Sequence, residues 1–482
     1  MRIQRVKAIP SGAAGEFAAW FERLTALDAA FLDLEGPTAP MHVGSVSIFE
    51  GKAPTQKELA DLIGSRRDLL PRYGQRLALV PFRVGRPVWV DDPEFDLSRH
   101  LRRMTLRRPG GRRQLLDLAG ELFARPLDRE RALWEMWVVE GLSARRFAVV
   151  SKTHHCMIDG VSGVDLASAL LDADEETGPG PVLSPRRPRP APSAAELLAC
   201  ALRDHVRRPL DLAREAVSPA AEGRGALKEI LGGLGPLLRI GALGPAPPSS
   251  LNRSVSGGRR WEMLAIDLAE VKRVRSVLGG TVNDVVLAVM AGALRKLLLG
   301  RKEPPNRALR VLVPVSVRSP EAHGTYGNQV AAVFCPLPVD EPDAGVRLRK
   351  VSRAMEGLKE RRQAVGAMAL TRLAEFAPPA FAAFSARLQT VAPWFNIVVT
   401  NVPGPQNPLY LLGRRLVGCH PSVPLTEITT VSIALLSYDG AIDIGLLGDD
   451  EHATDLPDLA RAIPEALDEL SRLARGPARG GR

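Results

Sequence analysis

His154-His155-Cys156-Met157-Ile158-Asp159-Gly160 puts two imidazoles, a carboxylate and a glycine within seven residues. Histidine is the usual general base near neutral pH, because its unperturbed pKa of about 6.5 leaves it able to take and return a proton. Adjacent side chains point in different directions, so one imidazole can face a substrate while the other supports the loop. Asp159 can orient a ring or pair with a buried arginine, and Gly160 can take a backbone conformation closed to other residues or let a substrate approach closely. A zinc site would want a third ligand, in HExxH or with cysteine pairs, and the chain has neither. A serine hydrolase would want a GxSxG elbow, which is also missing. A purely structural histidine pair at a strand end is the plainer alternative; the accompanying aspartate and glycine weigh against it.

Positioning such a group needs a rigid strand behind it. Residues 146–153 are a short apolar run ending in polar residues, which predicts a buried strand leading into the pair, and 161–173 predicts a helix after it. Upstream, helical spacing covers 16–35 (Trp20, Phe21, Leu24, Leu27, Phe31), 55–70 and 113–125, while 41–50 and 133–140 pattern as strands. Residues 175–195 are rich in proline and arginine, 195–240 have patchy helical character, and 241–260 are rich in Gly, Pro and Ser. Beyond them, strands are expected at 260–267, 309–317, 329–336, 395–401, 428–437 and 441–447, with helices at 268–278 and 282–299. Tyr438-Asp439-Gly440 is a hairpin turn between the last two strands. The expected organisation is an α/β chain of two similar halves, 1–174 and 259–482, joined by a 175–258 crossover.

In the second half, Asn283-Asp284 opens the 282–299 helix. Thr281 with Asp284 fits a T-x-x-D capping box, so capping and direct contact with a substrate both stand as roles for the pair. Asn401, just before Pro403-Gly404-Pro405, reads as a turn residue.

The bulk composition narrows the partners. With 482 residues, 45% hydrophobic and 24% charged, the chain is of globular type. Its formal charge of +10 allows three kinds of partner: nucleic acid, an anionic membrane face, or a phosphate-bearing co-substrate. The densest basic run, Arg99 to Arg113, lacks interleaved aromatics and matches no nucleic-acid-reading motif, which excludes the first. Four scattered cysteines without CxxC fit reduced thiols in a cytoplasmic protein. No apolar h-region opens the chain and no run of about 18 apolar residues occurs, so any membrane contact is expected to be peripheral.

HHxxxDG is the signature of the CoA-dependent acyltransferase superfamily, and the flanking blocks resemble one branch, the bacterial wax ester synthase/diacylglycerol acyltransferases. Leu24–Phe31 is similar to that family's LSxLDxxF, and Pro40-Met41-His42-Val43-Gly44 to its PMHVG. Arg125-Pro126-Leu127-Asp128 with Leu133-Trp134-Glu135, Val282–Ala288, Val313–Arg318, Tyr326–Gln329, Thr400–Pro405 and Ser437–Gly440 resemble further blocks in order. One block departs: the family's PLW reads Ala132-Leu133-Trp134 here. The resemblance runs from about 24 to 472, with 175–258 poorly matched.

The resemblance implies two chloramphenicol-acetyltransferase-like halves, each a mixed sheet with helices, meeting at the histidine motif. It implies transfer of a long-chain acyl group from acyl-CoA, as co-substrate, to diacylglycerol or a long-chain alcohol, with no metal or other cofactor. His155 is implied as the base, His154 and Asp159 as its catalytic companions, and Gly160, Asn283 and Asp284 as substrate-binding residues. Asn283 or a nearby backbone N–H is a candidate oxyanion donor. Docking at the inner membrane face or a lipid droplet would use the basic charge. Esterification of a polyketide or sugar acceptor, and a non-catalytic lipid-droplet binder, are the alternatives.

Overall fold

The computed structural model describes residues 21–157, 169–176, 178, 180, 188–204, 244–316, 330–360 and 393–475. The apolar run before the histidine pair is a strand, Arg146–His154. It is antiparallel to His42–Glu50 on one side, with His42 opposite His154, and to Trp134–Leu142 on the other. These belong to a six-stranded sheet ordered Tyr410–Leu411, Arg414–Ser422, His42–Glu50, Arg146–His154, Trp134–Leu142, Leu101–Thr105. The last pair is parallel, so the sheet is mixed.

A second six-stranded sheet runs Val330–Leu337, Leu309–Ser316, Ile397–Pro403, Val431–Tyr438, Ala441–Asp449, Arg259–Asp267. Ile397–Pro403 is parallel to both of its neighbours. Behind it lies the helix Val282–Gly300, whose residues Val285 to Leu294 are all buried. A helix apolar on every side is stable only when covered all round. Here Leu268–Leu278, Ala344–Glu360 and Leu456–Arg475 share the same core with it. The expected mixed α/β architecture of two sheet-and-helix halves is what the chain adopts.

One strand crosses between the halves. Arg414–Ser422 belongs to the second half in sequence but pairs with His42–Glu50, from Leu416 opposite Phe49 to Ser422 opposite Gly44. Its residues, RRLVGCHPS, mix charge, glycine and proline without apolar alternation, so the sequence patterns leave it unassigned. Backbone pairing with a neighbour makes it a strand. The helices Ala344–Glu360 and Leu456–Arg475 are likewise unassigned by the sequence patterns, the second carrying Pro464 in its interior.

Two expected helices are shorter. Of the expected helix 16–35, residues 16–20 lie outside the described residues, and from 21 onward the helix is Ala26–Leu34, because Thr25 caps it by accepting from the Asp28 N–H at 3.1 Å. Glu22–Arg23 instead pairs with Val88–Trp89 in a small three-stranded sheet. Helix 55–70 ends at Ser65 and continues as short 3₁₀ turns; a Thr55–Glu58 capping box fixes its start. Most of the expected 161–173 helix lies outside the described residues.

Candidate active site

The period-2 alternation of a strand separates the two histidines. Val149, Ser151 and Thr153 point into a cavity of about 1180 Å³, and His155, just past the strand end, continues that row. Lys152 and His154 face the other way and are fully buried. The cavity is lined from both halves: Leu59, Ile63 and Leu416 on one side, Val313, Met355 and Ile442 on the other. Its walls are predominantly apolar, with a sparse set of polar groups that includes Ser45, Ser151, Asn283 and Asn401.

The His155 ring stacks on Phe31, centroids 3.8 Å apart and planes inclined by 15°. Its backbone N–H donates to the Met41 carbonyl at 2.8 Å. Phe31 comes from Ala26–Leu34 and Met41 from just before His42–Glu50, so two separate elements hold His155.

His154 is held from behind. Its Nδ1 accepts from the Cys156 N–H at 3.1 Å, which requires the ring proton to sit on Nε2. Nε2 faces Glu35 Oε1 at 3.6 Å. The same Glu35 oxygen accepts from the Met41 N–H at 3.0 Å, and Oε2 accepts from Arg129 Nε at 2.7 Å. Burial pushes the Glu35 carboxyl up, but His154, the Met41 N–H and Arg129 outweigh it and hold the group down at about 2. Nearby, burial, the Lys152 ammonium and His154 push His42 well below its ordinary value, so His42 is neutral. Lys152 is itself lowered by burial and is kept by Glu135 at 3.3 Å and the Arg125 carbonyl at 2.9 Å.

From the second half, Asn283 lines the cavity, and its Oδ1 accepts from Asn401 Nδ2 at 3.3 Å. Asp284 makes the expected capping box: its Oδ2 accepts from the Thr281 N–H at 2.8 Å, and its own N–H donates to Thr281 Oγ1 at 3.2 Å. The tertiary structure thus brings His155, Asn283 and Asp284 to one cavity and puts His154 behind it. Asp159 and Gly160 lie outside the described residues. All four cysteines are free. Cys156, next to the pair, is buried, and burial pushes its thiol well up.

The sequence patterns do not single out Glu35, Arg129 or Lys152. Glu35 stands just past a helix end, where a solvated carboxylate is ordinary. Its one signal is its place between the Leu24–Phe31 block and the Pro40–Gly44 block, a linkage that only the fold explains.

Known proteins share this chain's sequence pattern and fold. Residues 24–286 match the wax ester synthase/diacylglycerol acyltransferase catalytic domain, and 326–471 match the WS/DGAT C-terminal domain. The probable diacylglycerol O-acyltransferase tgs1 of Mycobacterium tuberculosis is 35% identical over 457 residues, 94% of this chain and 96% of that protein. The probable diacylglycerol O-acyltransferase tgs2 of the same species is 35% identical over 92% of this chain and 98% of its own. Among solved structures, the wax ester synthase/diacylglycerol acyltransferase of Marinobacter aquaeolei VT8 superposes with a TM-score of 0.66 at 29% identity, covering 94% of this chain and all of that one. The first condensation domain of the CDA synthetase shares the fold, with a TM-score of 0.57 at 16% identity over 95% of this chain and 97% of its own. The chain belongs to the wax ester synthase/diacylglycerol acyltransferase family.

Proposed function

We propose that the protein transfers a long-chain acyl group from acyl-CoA to the hydroxyl of diacylglycerol or a long-chain alcohol, giving triacylglycerol or wax ester, with His155 as the base. The observation that carries this is the placement of His155 in the wall of a large apolar cavity while His154 is walled off behind it. His155 takes the proton from the acceptor hydroxyl as that oxygen attacks the thioester carbon. A tetrahedral intermediate forms, the C–S bond breaks, and His155 returns the proton to the departing thiolate. The thioester is already activated, so the transfer needs no covalent enzyme intermediate and no metal or prosthetic group. Asn283 is our candidate for the oxyanion donor. Its Oδ1 is engaged by Asn401, which leaves its Nδ2 hydrogens for the cavity. Asp159 as a catalytic companion and Gly160 as a substrate-binding residue are carried over from the family motif, and Asp284 fixes the helix that presents Asn283. The apolar walls favour a lipid acceptor over a sugar, whose many hydroxyls would be desolvated without partners.

The acceptors are membrane lipids, so we also place the protein at the cytoplasmic face of the membrane or on lipid droplets. Among the described residues no single helix is long and apolar enough to cross a membrane. Peripheral docking is supported by the +10 charge and by a loop on the small three-stranded sheet. There Phe82 is 88% exposed and Leu79 65%, beside exposed Arg83.

The test is incubation of the purified protein with labelled palmitoyl-CoA and either diolein or hexadecanol, beside His155→Ala. Ester formation in at least one mixture and a loss of about 10²–10⁴-fold in the variant are expected. No ester above background in either mixture refutes the transfer; a fully active variant removes His155 as the base.

A further inference from the structure

The mechanism uses His155 but leaves the buried charge behind it unexplained. Glu35 is 8% exposed in its side chain and is not among the residues that line the cavity. Ionised carboxylates are rarely held so far from water unless paired, since desolvation is costly. Glu35 is charged, and each of its oxygens is engaged.

We propose that Glu35 is a positioning residue that holds the catalytic imidazole of His155 in register through two relays. This rests on His155 being the base. The first relay runs through the backbone of Met41. Glu35 Oε1 accepts from the Met41 N–H at 3.0 Å, and the carbonyl of that same residue accepts from the His155 N–H at 2.8 Å. The carboxylate fixes the Met41 backbone, and with it the position of the carbonyl that clamps the His155 N–H. The second relay runs through His154. A carboxylate facing Nε2 favours the tautomer with its proton there. Only that tautomer leaves Nδ1 free to accept from the Cys156 N–H at 3.1 Å. The backbone on both sides of the His155 side chain is thereby tied to one carboxylate.

Arg129 completes the device. It donates through Nε to Glu35 Oε2 at 2.7 Å, pairs with the same oxygen through its second nitrogen, and reaches the Leu32 carbonyl at 2.9 Å. It therefore locks Glu35 to the end of the helix that also carries Phe31, the ring stacked on His155. One short helix delivers the ring contact and the backbone clamp together. The geometry matters because an active-site group misplaced by about 1 Å can cost a hundredfold in rate.

The test is Glu35→Gln, which keeps size and one acceptor but removes the charge. Its kcat should fall about 10–100-fold while KM for palmitoyl-CoA and for the acceptor stays within about twofold. In ¹⁵N-histidine spectra the His154 signal should leave the Nε2–H tautomer. A folded Glu35→Gln protein with wild-type kcat, or one that loses only KM, overturns the proposal, as does an unchanged His154 tautomer. If Glu35→Gln does not fold, Arg129→Gln is measured in its place. Arg129 is 41% exposed in its side chain, so the change is tolerable, and a kcat loss of several-fold at constant KM is expected. Wild-type kcat there also overturns it. His155→Ala in the same assay separates the two failures. An inactive His155→Ala with a fully active Glu35→Gln refutes the role of Glu35 alone, and an active His155→Ala refutes the base on which it rests.

Discussion

Asp443 is a buried carboxyl with one backbone donor, the Cys419 N–H at 2.6 Å. Burial pushes it up to about 7, and that single donor only partly offsets the shift. Its folded value lies above its unfolded one of about 3.9, so the folded chain holds the proton more tightly. The associated stability is full below about pH 4 and is lost as pH rises through 7. Asp443→Asn keeps an acceptor for Cys419 and cannot ionise. Denaturant unfolding should show little change near pH 4 and a gain of roughly 1–4 kcal/mol near pH 8–9. An equal gain at both pH values would remove titration as the cause. The contrast with Glu35 is instructive: both carboxyls are buried, but three partners hold one at about 2, while one backbone donor leaves the other near neutral. Neither environment is readable from neighbours in sequence, because Arg129 and His154 are about a hundred residues from Glu35.

At the scale of elements, Ala441–Asp449 packs closely against Arg414–Ser422 where the two sheets meet. A side chain at Gly445 would collide with the Pro421 carbonyl and the Trp261 ring. That glycine is therefore a packing requirement and not a turn. Gly445→Ala should destabilise by about 1–3 kcal/mol, read as a lower denaturant midpoint at unchanged slope. Wild-type stability would show that the sheets can separate locally without cost. The strands flanking the histidine pair were legible because Val, Ile and Phe recur in them at strand spacing. Arg414–Ser422 was not, since its extended form comes from the open edge of His42–Glu50. The Thr281–Asp284 cap was legible as a local motif. That its helix also presents Asn283 to the cavity was not, because the opposite wall is built by residues over a hundred positions away.

For the whole molecule, the exposed Phe82 is the most telling surface feature. It and Arg83 have φ of 56° and 53°, a left-handed conformation that bulky side chains avoid. Such conformations cost about 1 kcal/mol or more each, and here the result is an aromatic ring standing in solvent beside a cation. On an anionic lipid surface that ring would be buried, worth about 1.5–3 kcal/mol, with Arg83 at the headgroups. Phe82→Asp should cut partitioning onto phosphatidylglycerol-containing vesicles by at least tenfold, measured by co-sedimentation. Turnover of a dispersed short-chain alcohol should be unchanged. Undiminished partitioning would exclude this loop as the contact.

Residue types and short spacings carry the chemistry on offer: an HHxxxDG motif at a strand end, blocks resembling an acyltransferase family, and a net charge of +10 without a nucleic-acid motif. These are local properties, carried by residue type and short spacing, and they survive without a fold. Tertiary structure decided which histidine faces the cavity, what stands behind the other, and which distant residues share their environment. Strand alternation is local, but the face it turns to the cavity is set only when the sheet packs. The carboxylate, arginine and second-half amide join the motif only because long-range pairing brings segments about a hundred residues apart to one site.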